Sequence, residues 1–333
     1  MKLITSSLAA LALTGSAAFA SAIIDNGVIQ LGVDDLGQLN IPGPDSPVTH
    51  TPFVGLRYLP TGFESTSHGC LCEGWGVGIG ETLVSGYANN AVGTANLSPV
   101  SFSSTASTAV SSVALTSGEL AVTHTFGPAA ETPNLYRVTV AITNTSGVDI
   151  ADLRYTRTFD WDIEPTTFSE YVTHAGVGTT PAVLTAFDNG FVDSNPFGSR
   201  APIGGAGFLN GDFVDSGPFD HGSNFDFTFG ALAAGETFTF DIFYGGARTE
   251  AGALAALGEV GAELYSLGQC SGDAAGTGAD GCNTFIFGFS GIGGEVIVPD
   301  PTPSGVPVPA GGLLILTGLG ALAGLRRRKA RAA

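Results

Sequence analysis

Lysine is missing from the whole stretch between Ile23 and Pro309. Six arginines (Arg57, Arg137, Arg154, Arg157, Arg200 and Arg248) stand there against all 30 acidic residues, which leaves that stretch at a net −24. A body of this charge repels phosphate backbones and anionic headgroups, so nucleic acid is excluded as a partner. Catalytic signatures are missing as well. There is no Gly-x-Ser-x-Gly elbow, zincin helix or dinucleotide fingerprint. Gly74 to Gly80 resembles a phosphate cradle only in its glycines, because no Lys-Ser/Thr pair or amphipathic helix follows it. His50, His124 and His174 are scattered without metal-ligand spacing.

What is present favours strands. The chain has 49 Gly, 18 Pro and 22 Phe, and its 44% hydrophobic content is enough to bury a core and to argue against disorder. From Leu135 to Asn144, Tyr136, Val138, Val140 and Ile142 face one way, and Arg137, Thr139 and Thr143 the other. Phe225, Phe227 and Phe229 alternate with polar residues, as do Phe238, Phe240, Ile242 and Tyr244. The pattern predicts a mainly β fold, a large antiparallel β-sandwich. One amphipathic helix is expected over Thr249 to Leu267, where Leu254, Leu257, Val260, Leu264 and Leu267 recur at helical spacing before Gly268. Phe191-Val-Asp-Ser-Asn-Pro-Phe197 recurs as Phe213-Val-Asp-Ser-Gly-Pro-Phe219, which reads as two similar loops.

The termini are greasy. Residues 1–22 read as a signal peptide, with Lys2, an apolar run from Leu8 to Leu13, and Ala18-Phe19-Ala20 or Ala20-Ser21-Ala22 as the site for signal peptidase. The exported domain is expected over 23–298, followed by a stiff Pro-rich spacer over 299–305. Residues 306–333 form a three-part tail. Val306-Pro307-Val308-Pro309-Ala310 comes first. An apolar run follows to Leu325, with Thr317 its only hydrogen-bonding side chain, and Arg326, Arg327 and Arg328 act as a membrane stop. As a helix the run would span roughly 24 Å, against about 30 Å for a bilayer core. The arginines can extend its reach and keep this end cytoplasmic. In that order these parts resemble a VPLPA-CTERM sorting signal, a variant of the PEP-CTERM signals of Gram-negative bacteria, with Val308 where the family motif has Leu. The resemblance implies an exosortase-type transpeptidase as partner and cutting near Val306–Ala310. It further implies anchorage in the inner membrane until processing, then residence in the cell envelope or in an exopolysaccharide matrix.

Three groups of residues carry candidate chemistry. On a strand, Asp160, Asp162 and Glu164 share one face, and Trp161 and Ile163 the other. Three readings fit this face: an ion-pair cluster with Arg154 and Arg157, a Ca²⁺ site of hard oxygens, or acid and base on a sugar with Trp161 or Tyr171 as a stacking platform. Asp212 to Asp226 offers a second acidic group, with Asp215 and Asp220 as calcium candidates and His221 as an exposed loop histidine. Cys270 and Cys282 bracket a Gly/Asp-rich loop and are expected to bridge it. Cys70 and Cys72 can pair with each other, cross-link to that loop, or stay free. A zinc site there would need His68 or Glu73 as well. No cofactor is expected beyond calcium. The expected function is that of a non-enzymatic, exosortase-processed envelope or matrix protein associated with exopolysaccharide. The alternative is a glycan-binding module or glycan-active enzyme using Asp160, Asp162 and Glu164.

Overall fold

The computed structural model describes residues 20–203 and 210–297. The tail from Val306 to Arg328 and the expected signal and membrane helices lie outside the described residues. Among those described, no helix is long and apolar enough to cross a membrane.

The fold is mainly β, built from large antiparallel sheets. In chain order the strands are β1 (Ser21–Asp25), β2 (Ile29–Asp34), β3 (Ile41–Pro42), β4 (Phe53–Val54), β5 (Leu56–Tyr58), β6 (Phe63–Glu64), β7 (Gly74–Ile79), β8 (Val84–Asn89), β9 (Leu97–Ser104) and β10 (Ala109–Leu115). They continue as β11 (Leu120–Pro128), β12 (Leu135–Asn144), β13 (Ile150–Trp161), β14 (Glu170–Ala175), β15 (Val183–Phe187), β16 (Phe213–Phe219), β17 (His221–Leu232) and β18 (Thr237–Ala247). After helix α1 (Glu250–Glu259) come β19 (Leu264–Cys270) and β20 (Thr284–Ser290).

Nine strands form one sheet in the order β16-β14-β19-β20-β18-β12-β11-β10-β9, and five form another in the order β15-β17-β13-β7-β8. A four-stranded sheet (β1-β2-β5-β6) and the β3-β4 pair complete the described strands. β1 takes in Ser21 and Ala22, opposite Asp34 and Val33, so the sheet begins two residues before the expected start at 23.

The alternation read in the sequence is realised strand against strand. Tyr136, Val138, Val140 and Ile142 lie opposite Tyr244, Ile242, Phe240 and Phe238. All but the half-buried Phe238 are core residues. Inner side chains of the two largest sheets meet directly. The Phe159 ring of β13 lies 5.0 Å from Phe287 of β20 and 5.7 Å from Tyr244 of β18. Burying aromatic faces at this spacing adds to the cohesion between the two sheets.

Two sequence expectations are corrected. The helix is ten residues long and stops at Glu259. Thr249 caps it as expected, its Oγ1 accepting from the Gly252 N–H at 3.2 Å. Leu264 and Leu267, counted as its last turn, belong instead to strand β19. Every residue of β19 is buried, so it shows no alternation, and its leucines continued the helical spacing by chance. Gly261, at φ +63°, turns the chain between the two elements. Ala253, Ala256 and Leu257 of the helix cover the outer side of the nine-stranded sheet, against Phe243 and Ile286. The second correction concerns the repeated heptapeptides. Phe213–Phe219 is the edge strand β16, whereas 191–197 lies in turns.

Candidate metal centre

Alternation along β13 holds to its end, and it sorts charge. Tyr155, Arg157, Phe159, Trp161 and Ile163 project into the core, while Thr156, Thr158, Asp160 and Asp162 project to the other side. Arg157 is therefore on the wrong face to neutralise the acidic run. It is fully buried and ion-paired with Glu73. Glu73 also accepts from the Leu39 N–H at 2.6 Å and the Tyr244 hydroxyl at 3.2 Å. Arg154 turns back to Asp152, with Nε 2.6 Å from Oδ2. The expected Arg154/Arg157 cluster with Asp160, Asp162 and Glu164 does not form.

The three run carboxylates, all buried, enter three different surroundings. Glu164 sits in a nest of donors: Ser46 Oγ, Thr49 Oγ1, the Thr49 N–H at 3.0 Å and the Glu64 N–H at 2.8 Å. His68 Nε2 stands 3.4 Å away. Burial works against the charge of Glu164, but the donors from His68, Ser46, Thr49 and Glu64 outweigh it and hold the carboxyl at about 2. Asp160 points toward the Cys70–Cys72 disulfide, with Oδ2 3.3 Å from Cys70 Sγ. Burial, then Asp162 and Asp220, push its carboxyl well above the ordinary value.

Asp162 belongs to a third group. Asp162, Glu170 and Asp220 each bring one carboxylate oxygen within 4.8 Å of the others. Asp162 and Glu170 are 1% and 0% exposed, and none of their four carboxylate oxygens has a well-aligned hydrogen-bond donor; the backbone groups of His68 and Ser169 act on them only weakly, as the smallest of the influences on each. Burial is the first cause that pushes Asp162 up to about 7, with Asp220 and Glu64 adding to it against the opposing pull of His68. Burial, then Asp162, Asp160 and Asp220, push Glu170 up to about 10. Buried polar atoms are nearly always hydrogen-bonded, and four such oxygens on two neighbouring carboxylates are an exception that calls for a counter-charge.

Local structure explains the convergence. After Asp162 the chain reverses through Pro165 to Ser169, with the Thr166 N–H bonded to Ile163 O at 3.0 Å, and re-enters β14 at Glu170. Asp220 is the single residue joining β16 to β17. Two glycines permit the close approach. At Gly69 (φ +54°) a Cβ would stand 2.9 Å from the Phe168 ring and 3.7 Å from Asp162 Oδ2. At Gly217 (φ +147°) it would strike Glu170 O at 2.3 Å.

The remaining sequence candidates go elsewhere. Asp215 is tied to Thr173, whose Oγ1 accepts from the Asp215 N–H at 3.0 Å. His221, expected in an exposed loop, is fully buried in β17 and its Nε2 lies 3.3 Å from Glu170 O. Cys270 and Cys282 are bonded as expected, with Cα atoms 5.9 Å apart. Cys70 and Cys72 pair with each other, which takes their sulfurs out of contention as zinc ligands. Glu170 was missed because nothing marks it except the Pro165 reversal, six residues beyond Glu164. A separate cleft of about 570 Å³, lined by Asp34, Asp35, Gln38, Asn40, Asn90 and Thr94 among others, was also not foreseen. No protein-family model matches the chain, and no curated protein matches it in sequence.

Proposed function

We propose that the chain is an exported, non-enzymatic protein of the cell envelope or extracellular matrix, with a β-sandwich body delivered and released by its C-terminal tail. The observation that carries the reading is that all four cysteines are paired, as Cys70–Cys72 and Cys270–Cys282. Disulfides persist in oxidising compartments and are rare in the cytosol. The acidic, lysine-free stretch from Ile23 to Pro309 and the three-part tail with its Arg326–Arg328 stop agree with that address. Cleavage after Ala20, rather than after Ala22, leaves strand β1 whole. An exosortase-type enzyme acting near Val306–Ala310 then frees the body into the exopolysaccharide.

Burial weighs against the alternative of a glycan-active enzyme. Trp161 is 0% exposed, and its Nε1 donates to Ser266 Oγ at 3.0 Å, so it offers no face to a sugar. Glu164 is enclosed by its donors. The cleft beside Asp34 and Asn40, which mixes polar side chains with Leu36, Ile41 and Pro42, is the better place for hydroxyl-rich polymer to rest. The test is fractionation of cells producing the full chain or a chain ending at Gly305. The tail reading expects the truncated protein to leave the envelope fraction, and recovery of both forms in the same fraction overturns it.

A further inference from the structure

Every arginine of the body is already engaged. Arg57 faces Glu64, Arg137 faces Glu131 and Asp241, Arg154 faces Asp152, Arg157 faces Glu73, and Arg200 faces Asp226 and Asp193. Arg248 donates to the Gly281 carbonyl at 3.0 Å. His68, which faces Asp162, has its Nε2 against Thr49 and Glu164. With no lysine between Ile23 and Pro309, only two histidines among the described residues, His68 toward Asp162 and His221 toward Asp220, oppose the charge of Asp162, Glu170 and Asp220, and no free arginine or lysine does. Their counter-charge is either bound protons or a bound ion.

We propose that Asp162, Glu170 and Asp220 bind one hard divalent cation, calcium by its ligand chemistry, which ties the five-stranded sheet to the nine-stranded one. The donors are all carboxylate oxygens, which favour calcium or magnesium over zinc or copper. Oxygens on opposite sides of a calcium ion stand about 5 Å apart, a span that the 4.8 Å grouping fits. Magnesium demands a tighter octahedron and retains its waters. Placement gives the ion a structural task. Asp162 follows β13 of the five-stranded sheet and Glu170 opens β14 of the nine-stranded one. Asp220 is the corner by which the chain passes between the two sheets. Asp160, with Oδ1 also unpartnered and buried, adds negative potential at the rim. The inference deepens the reading of an exported body, since extracellular calcium sites work at about 0.1–1 mM.

The test uses purified protein stripped with EDTA and titrated with calcium alone, magnesium alone or zinc alone, followed by thermal melting and equilibrium dialysis. One calcium per chain and a raised melting temperature are expected, with magnesium weaker. Glu170→Gln and Asp162→Asn are expected to weaken binding at least tenfold, and Asp215→Asn to leave it unchanged. If the buried variants do not fold, Asp220→Asn, on the exposed corner, carries the same expectation. No shift in the parent protein up to about 10 mM calcium, well above the working range of extracellular sites, overturns the proposal. So does a shift that survives Asp220→Asn, or tighter binding of zinc than of calcium. A metal-free Glu170→Gln protein that outlasts an unresponsive parent identifies protons as the native counter-charge and also overturns it. The binding curve is independent of where the cell places the protein, so failure of the site and failure of the export reading are separate results.

Discussion

On the inner face of β13, Arg157 meets Glu73 in complete burial. Leu39 and Tyr244 donate to the same carboxylate, and the guanidinium lies 5.5 Å from the centre of the Tyr244 ring. On the outer side of the same segment, Asp162 meets Glu170 and Asp220 with four oxygens lacking a well-aligned donor and no arginine in reach. Both groups carry charge out of water, which costs several kcal/mol per ion unless it is compensated. The inner pair is compensated within the chain. The outer group is not, and its stability therefore depends on what the solution contains. The inner face is complete within the chain, and the outer one is the face that the calcium proposal addresses.

The sharpest way to break this comparison is to strand the inner charge. Arg157→Met leaves Glu73 alone in the core and is expected to cost about 3–5 kcal/mol in urea unfolding. Replacing Glu73 by Leu as well should restore most of that loss. A single-variant cost under about 1 kcal/mol would mean that the pair is not sealed as described.

The covalent brace beside the outer group comes next. Cys270 lies directly opposite Glu170 in the sheet and closes the loop to Cys282. Replacing both cysteines by alanine is expected to cost about 3 kcal/mol, read from the denaturation midpoint.

The response to pH separates the two sides of β13 more finely. Unfolded carboxyls titrate near pH 4. Glu170 is raised to about 10 and Asp162 to about 7, so between those limits the metal-free folded state holds more protons than the unfolded one. Their contribution must fall as pH rises from about 4 toward 10. Glu164, held at about 2, has the opposite sign: its contribution is complete above its unfolded value and is lost as pH falls through 2. Melting the EDTA-treated protein and Glu170→Gln across this range should show the alkaline decline flattened in the variant. Parallel curves would remove Glu170 from the account.

The smallest expected effect is that of Asp215→Asn. Its side chain is half-buried and bonded to Thr173 alone, so a change within about 0.5 kcal/mol is expected. A large loss would show that the acidic stretch before β17 matters beyond Asp220.

Much of the fold was readable because strand alternation is a local property. The partnership of Tyr136 through Ile142 with Tyr244 through Phe238 follows from two patterns of the same period. Alternation weakens as a guide where a strand is buried on both faces. There β19 imitated a helix, since periodicity needs a solvent side to be visible. The loop disulfide was readable too, because a short glycine-rich loop brings its two ends together.

By itself, then, the sequence determined the period, the sign of the charge and the absence of lysine between Ile23 and Pro309. From these follow sheets, an acidic surface, and a shortage of counter-ions for any carboxylate turned inward. Only the tertiary structure decided which carboxylates those are. It set Arg157 on the far face from Asp162, gave Glu164 its donors, and brought Glu170 and Asp220 to Asp162 across a turn and a sheet corner. Parity along a strand is fixed by bond geometry, whereas neighbours across sheets depend on how distant strands close around a shared core.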